Sequence, residues 1–192
     1  EFRKVALRTI FWATMAGSAY KKVYICPVLG RPVSHFIPIT DFVVNSDHSS
    51  HLDSRRKTHI LRISQNEYDV RVSSGMYRDV EIAKVYDDDY GDRSIAEELR
   101  TTTGVQPKNR EPDTYVIYEC HADYHLPQDP QNEGAKLALP YIISLDANTG
   151  KVLSVRRNWY EDDPYKNRIE CFVNYSLLPA LDGEGYGLVH YA

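Results

Sequence analysis

The 192-residue sequence is short of several things that would announce a chemistry. It has little sulfur: two methionines and three cysteines, Cys26, Cys120 and Cys171. The cysteines are too widely spaced for a zinc knuckle, and an odd number leaves at least one unpaired. Each stands beside apolar strand-type residues, which reads as reduced, buried thiols. No apolar run is long enough to span a bilayer, and no signal peptide is visible. A basic excess is also missing. The formal net charge is −4, which argues against a surface that grips nucleic acid throughout. Neither H-E-x-x-H nor paired C-x-x-C occurs, and no Ser/His/Asp or Cys/His nucleophile arrangement can be argued from spacing.

What is present is an ordinary globular balance, 42% hydrophobic and 26% charged, with a surplus of tyrosine: 15 against 5 Phe and 2 Trp. Tyrosine suits half-exposed strands and subunit interfaces, where one end of the ring is dry and the other wet. The chain begins with Glu1 rather than Met, and its end runs straight out of an apolar pattern, so a piece of a longer polypeptide is expected.

The clearest local signal is 140–160, PYIISLDANTGKVLSVRRNWY. Two alternating runs flank Asp146-Ala147-Asn148-Thr149-Gly150. Asp146 or Asn148 can accept from nearby backbone N–H groups, and Gly150 can take positive φ, so a β-hairpin is predicted. Residues 1–20 carry apolar residues at helical spacing on two sides, Phe2, Val5, Thr9, Ala13 and Leu7, Phe11, Met15, with Gly17-Ser18 as the stop. Such a helix is expected to pack against more than one neighbour, or against parts of a longer chain. Strands are predicted over 21–26 and 33–39, joined by a turn through Gly30, and over 58–63, 114–125 and 169–177. Pro38 should end its strand. Ser64 with Glu67 matches a capping box opening a helix over 65–73 with Gly75 as its stop, and a short helical turn is expected at 51–56. Ser94 with Glu97 is a second capping-box match. The expected class is α+β: antiparallel hairpins and sheet with an N-terminal helix, residues 1–22, packing on a β-rich domain, residues 23–192, that holds a few short helices.

Four groups of residues could carry chemistry. Glu119, His121, Asp123 and His125 share a strand face, since residues two apart point the same way, and two imidazoles with carboxylates could hold a divalent metal for hydrolysis. The same pattern is what the solvated face of an outer strand carries. Asp87, Asp88, Asp89 and Asp92 could attract calcium, but Asp92 occupies the place where a calcium loop needs glycine, so a solvated acidic loop is expected. Arg55, Arg56 and Lys57, and separately Arg156 and Arg157 with Trp159, could meet phosphates, another subunit's carboxylates or a stacked base; for any single one, ordinary surface charge or a structural ion pair is the better explanation. Gly183-Glu184-Gly185-Tyr186-Gly187 lacks both the spacing of a dinucleotide loop and the lysine of a P-loop.

The order of short motifs adds what no single one supplies. They are Gly30-Arg31-Pro32-Val33, then Pro38-Ile39-Thr40-Asp41-Phe42-Val43-Val44, then Arg56-Lys57-Thr58-His59, then Gly75-Met76-Tyr77-Arg78-Asp79-Val80. Tyr118-Glu119-Cys120-His121, Leu139-Pro140-Tyr141-Ile142-Ile143, Arg156-Arg157-Asn158-Trp159, Phe172-Val173-Asn174-Tyr175 and Gly185-Tyr186-Gly187-Leu188-Val189-His190 follow. In this order they resemble the portal proteins of short-tailed (podovirus-type) bacteriophages across most of the chain. The resemblance implies a structural protein without catalytic residues or cofactor. It implies a homo-oligomeric ring, a dodecamer, at one vertex of the virion capsid, assembled in the host cytoplasm. Its partners would be terminase, capsid protein, tail or adaptor proteins, and the double-stranded DNA packaged and ejected through the channel, with no membrane. The segment would belong to the β-rich wing that precedes the long stem helices.

Overall fold

The computed structural model describes residues 2–26, 29–45, 50–84, 114–132, 137–179 and 184–191. It is α+β with antiparallel sheets, as the pattern of the sequence requires. Helix α1 spans Phe2–Ala16. Strand β1 follows at Ser18–Cys26 and pairs antiparallel with β2, Arg31–Ile37. A single 3-10 turn, Ile39–Asp41, leads into β3, Phe42–Val44. Strand β4, Arg56–Ser64, runs directly into α2, Gln65–Ser73. The remaining strands are β5, Thr114–Tyr124; β6, Leu139–Asp146; β7, Val152–Arg157; β8, Phe172–Ser176; and the two-residue β9, Leu178–Pro179, and β10, Gly185–Tyr186. One sheet has the order β2-β1-β8, a second has β3-β4-β5-β6-β7, and β9 pairs with β10.

Local rules account for most element boundaries. Gly17 at φ 92 ends α1 earlier than expected, so β1 starts at Ser18 rather than 21. Pro38 closes β2. Ser64 accepts from the Glu67 N–H while Glu67 accepts from the Ser64 N–H, completing the capping box. Gly75, at φ 73, follows the C-cap Ser74. In the β6–β7 turn Asp146 accepts from the Thr149 N–H at 2.8 Å, and Gly150, at φ 67, donates to the Asp146 carbonyl. The helical turn expected at 51–56 is a turn at 51–53, because Arg56 already belongs to β4. The second capping box at Ser94 and Glu97, the acidic stretch Asp87, Asp88, Asp89 and Asp92, and Gly183 lie outside the described residues.

The chain divides into two compact units. The first comprises Glu1–Ile60, Glu119–Ile143 and Val155–Ala192, with α1 inside it. Its core is aromatic: Tyr20, Ile37, Phe42 and Phe172, with Tyr20 and Phe42 at 4.2 Å and Phe42 and Phe172 at 4.8 Å between ring centres. Burying one such ring is worth about 1.5–3 kcal/mol. The second comprises Leu61–Tyr118 and Ser144–Ser154, around Ile63, Tyr68, Tyr77, Tyr115, Ile117 and Leu153. In that unit the Tyr115 hydroxyl donates to Gln65 and the Tyr68 hydroxyl donates to the Val80 carbonyl, so the buried phenols keep polar partners.

Strand β1 departs from the apolar parity of its sequence. Val23 and Ile25 are exposed, whereas Tyr20 and Lys22, on the opposite face, are buried. A lysine therefore occupies a core-facing position, and its charge has to be met inside.

Candidate functional site

Glu119 meets it. Strand β5 carries Glu119 inward, where its carboxylate accepts from the Lys22 ammonium of β1. Two residues along the same face, His121 Nε2 lies 2.7 Å from Glu119 Oε1, the oxygen that Lys22 also contacts. Arg156, at the end of β7, approaches Glu119 Oε2 at 3.6 Å. Lys22, Glu119 and His121 are all buried; the Arg156 side chain is about one-third exposed. His121 also packs edge-on against Phe172 of β8 at 4.8 Å. His59 of β4 stands edge-on to the same ring at 6.3 Å. The Glu119 carboxylate thus ties β5 to β1 and β7, and the rings of His59, His121 and Phe172 link β4 and β8 to β5.

Burial by itself raises the Glu119 carboxyl, but Lys22, His121 and Arg156 together outweigh it and hold the group well below the ordinary carboxylate range. Burial pushes His121 down against the pull of Glu119, and it pushes His59 down to about 3, with Lys22 acting in the same sense. Both histidines are therefore neutral near pH 7. The sign of the linkage follows. An unfolded histidine takes up its proton near 6.5 while the folded one does not, so stability is lost as pH falls from about 6.5 towards 3. Glu119, charged in the folded state, adds a second loss below about 4.5. The melting temperature is expected to fall as pH is lowered from 7 to 4.5, and His59→Gln should flatten that slope. A melting temperature constant over that range would contradict the arrangement.

The expectation of a solvated strand face is corrected for Glu119 and His121. Glu119 and His121 are not on a solvated face, because β5 is an inner strand of its sheet. Asp123, nearly half exposed, instead accepts from Arg168 Nη2 at 2.8 Å. His125 lies beyond the end of β5 and is exposed. The four do not converge, and among the described residues no three His, Cys, Asp or Glu side chains form a metal site.

Of the basic groups, Lys57, Arg156 and Arg157 are drawn into the scaffold. Arg157 grips Asp129 with two bonds, 2.9 and 2.6 Å, and the Tyr141 hydroxyl donates to the same carboxylate at 2.8 Å. Arg157 holds the Asp129 carboxyl far below its ordinary range, while burial and then Asp129 push the Tyr141 phenol up to about 12. Trp159 is 5% exposed, edge-on to Tyr141 at 5.2 Å and flanked by Arg157 and Lys166, so its face is closed to a stacking base. Lys57 is fully buried, with both Glu170 oxygens at 2.6 Å, while Arg55 and Arg56 are exposed. Gly185 and Gly187 serve a backbone crossing. A Cβ on Gly17 would stand 1.9 Å from the Gly185 oxygen, and the Gly185 N–H donates to the Ser18 hydroxyl at 2.6 Å. The three cysteines are free and half-buried, and burial pushes the Cys171 thiol up to about 11, which keeps it unreactive.

Sequence reasoning missed Lys22, His59 and Glu170. A signal existed for the first: Lys22 alternates with Tyr20 and Tyr24, and a cation between two aromatics on one strand face is a cation that needs an internal partner. What the cluster does chemically is pair charges carried by different strands. Compared with known proteins, the chain matches no family profile and no curated sequence.

Proposed function

We propose that this chain is part of a structural, ring-forming portal subunit of a tailed phage, not an enzyme. The observation that carries the reading is the shared order of short motifs from Gly30 to His190. The parts those residues play are consistent with it. Gly30 makes the β1–β2 turn at φ 60, Gly75 follows the C-cap of α2, and Glu119 and His121 pair with Lys22. Arg157 and Tyr141 hold the Asp129 carboxylate. Motifs spent on turns and ion pairs suit a connector, whose work is to hold shape. A net charge of −4 suits a channel along which DNA must slide, since affinity for phosphates rises with each one neutralised. In this reading terminase, capsid protein and tail adaptors are partners, and the virion vertex is the location. The deciding measurement is native mass with negative-stain electron microscopy of the full-length protein. Closed rings with a central channel are expected. A compact monomer at every concentration would sink the reading.

A further inference from the structure

We propose that the outward side of α1 in one copy docks on the acidic, tyrosine-flanked loop 160–165 of the next, a head-to-tail contact. The proposal rests on the ring-subunit reading above, and it names the two surfaces that would meet.

Helix α1 packs on the β2-β1-β8 sheet through one side: Thr9 and Ala13 are buried, and Trp12 lies against Phe36 at 6.2 Å. Its other side is apolar and uncovered. Leu7, Ile10 and Phe11 are 58%, 59% and 61% exposed. Arg3 and Lys4, also exposed, stand one turn earlier on the same side, and α1 holds no acidic residue. A solvated helix face does not normally combine three large apolar side chains with charge of a single sign; an interface does.

The complementary surface is Tyr160, Glu161, Asp162, Asp163 and Tyr165. Tyr160 and Tyr165 are 65% and 85% exposed, and Glu161 and Asp162 are exposed between them. A shallow, open depression of about 420 Å³ is lined by Tyr160, Asp162 and Asp163. The loop is preformed. Asp163 accepts from the Tyr165 and Asn167 N–H groups at 2.9 and 2.8 Å, Lys166 takes φ 51, and the Ile169 N–H closes the loop on the Asn158 carbonyl at 2.9 Å. A rigid loop loses little freedom on binding. Exposed tyrosine is interface composition and offers rings to Leu7, Ile10 and Phe11, and the carboxylates complement the charge of Arg3 and Lys4. Because the two surfaces differ, each copy offers one of each. Such a contact repeats, and closes into a ring when the rotation allows.

Sedimentation velocity on the full chain tests this with two exposed-residue variants, Arg3→Glu/Lys4→Glu and Glu161→Lys/Asp162→Lys. Each alone should associate about tenfold more weakly than the parent, with unchanged melting temperature. An equimolar mixture of the two should recover parental association, because every α1 then finds a loop of opposite sign. Failure of the mixture to recover, or parental association by either variant alone, overturns the contact. So does loss of binding to phosphatidylserine vesicles by the α1 variant with self-association untouched, which would make α1 a membrane-surface helix. Electron microscopy separates the two readings. Recovery into open filaments keeps the contact and removes the ring, whereas rings indifferent to both variants keep the ring and remove the contact.

Discussion

Gly17→Ala should cost more stability than any other glycine substitution in the described chain. Two independent penalties coincide at this residue. Its φ of 92 is a conformation that an L side chain adopts only under strain, worth about 1–2 kcal/mol. The added Cβ would also lie 1.9 Å from the Gly185 oxygen and 2.6 Å from the Gly187 nitrogen, both backbone atoms that cannot rotate away. Relief requires the segment at 185–187 to lift from the end of α1, breaking the bond from the Gly185 N–H to Ser18. A total above about 3 kcal/mol is expected, a large share of a typical domain's 5–15 kcal/mol. Gly30 is the control. It too has positive φ, 60, but open space where its Cβ would stand, so Gly30→Ala should cost only about 1 kcal/mol. Urea midpoints with unchanged slope decide it. Equal losses at the two positions would show that the crossing at Gly17 is looser than its geometry.

The second large effect belongs to Glu119. Glu119→Gln leaves the buried Lys22 ammonium without a counter-charge and removes the partner of His121. Breaking one side of a buried pair costs about 3–5 kcal/mol, because the remaining charge is stranded away from water. The exposed pair Asp123 with Arg168 is the internal comparison, and Asp123→Asn should cost under about 1 kcal/mol. Since the penalty is one of desolvation, Lys22→Met with Glu119→Leu should recover more than half of the Glu119→Gln loss. A double variant worse than the single one would mean that Arg156 and His121, rather than Lys22, depend most on this carboxylate.

What could be read from the sequence was what short spacing decides. The β6–β7 hairpin needs only Asp146, Thr149 and Gly150, and α2 needs only Ser64, Glu67 and Gly75; all are within a few residues of each other. The chemistry of β5 was not legible in the same way. Glu119 and His121 look like Asp123 along the strand, yet the first two are buried and the third is exposed. What separates them is which side chains meet them, and for Glu119 and His121 those come from β1, β7 and β8. Lys57 makes the same point: one residue from exposed Arg56, it is fully buried because Glu170 reaches it from 113 residues away. Alternation along a strand specifies faces but not which face is covered.

Synthesis on the ribosome gives these long separations a temporal meaning. Lys22 is made 97 residues before Glu119, and Ser18 is made 167 residues before Gly185. At roughly 5–20 residues per second, Ser18 waits on the order of ten to thirty seconds for its partner. Through that interval Tyr20 and Ile37 have no Phe172 to pack on, and the β1–β2 hairpin emerges with an uncovered face. Folding of the first unit therefore waits until Gly185 has left the exit tunnel and is exposed to chaperone capture until then, whereas the capping box of α2 can form as soon as Glu67 has emerged.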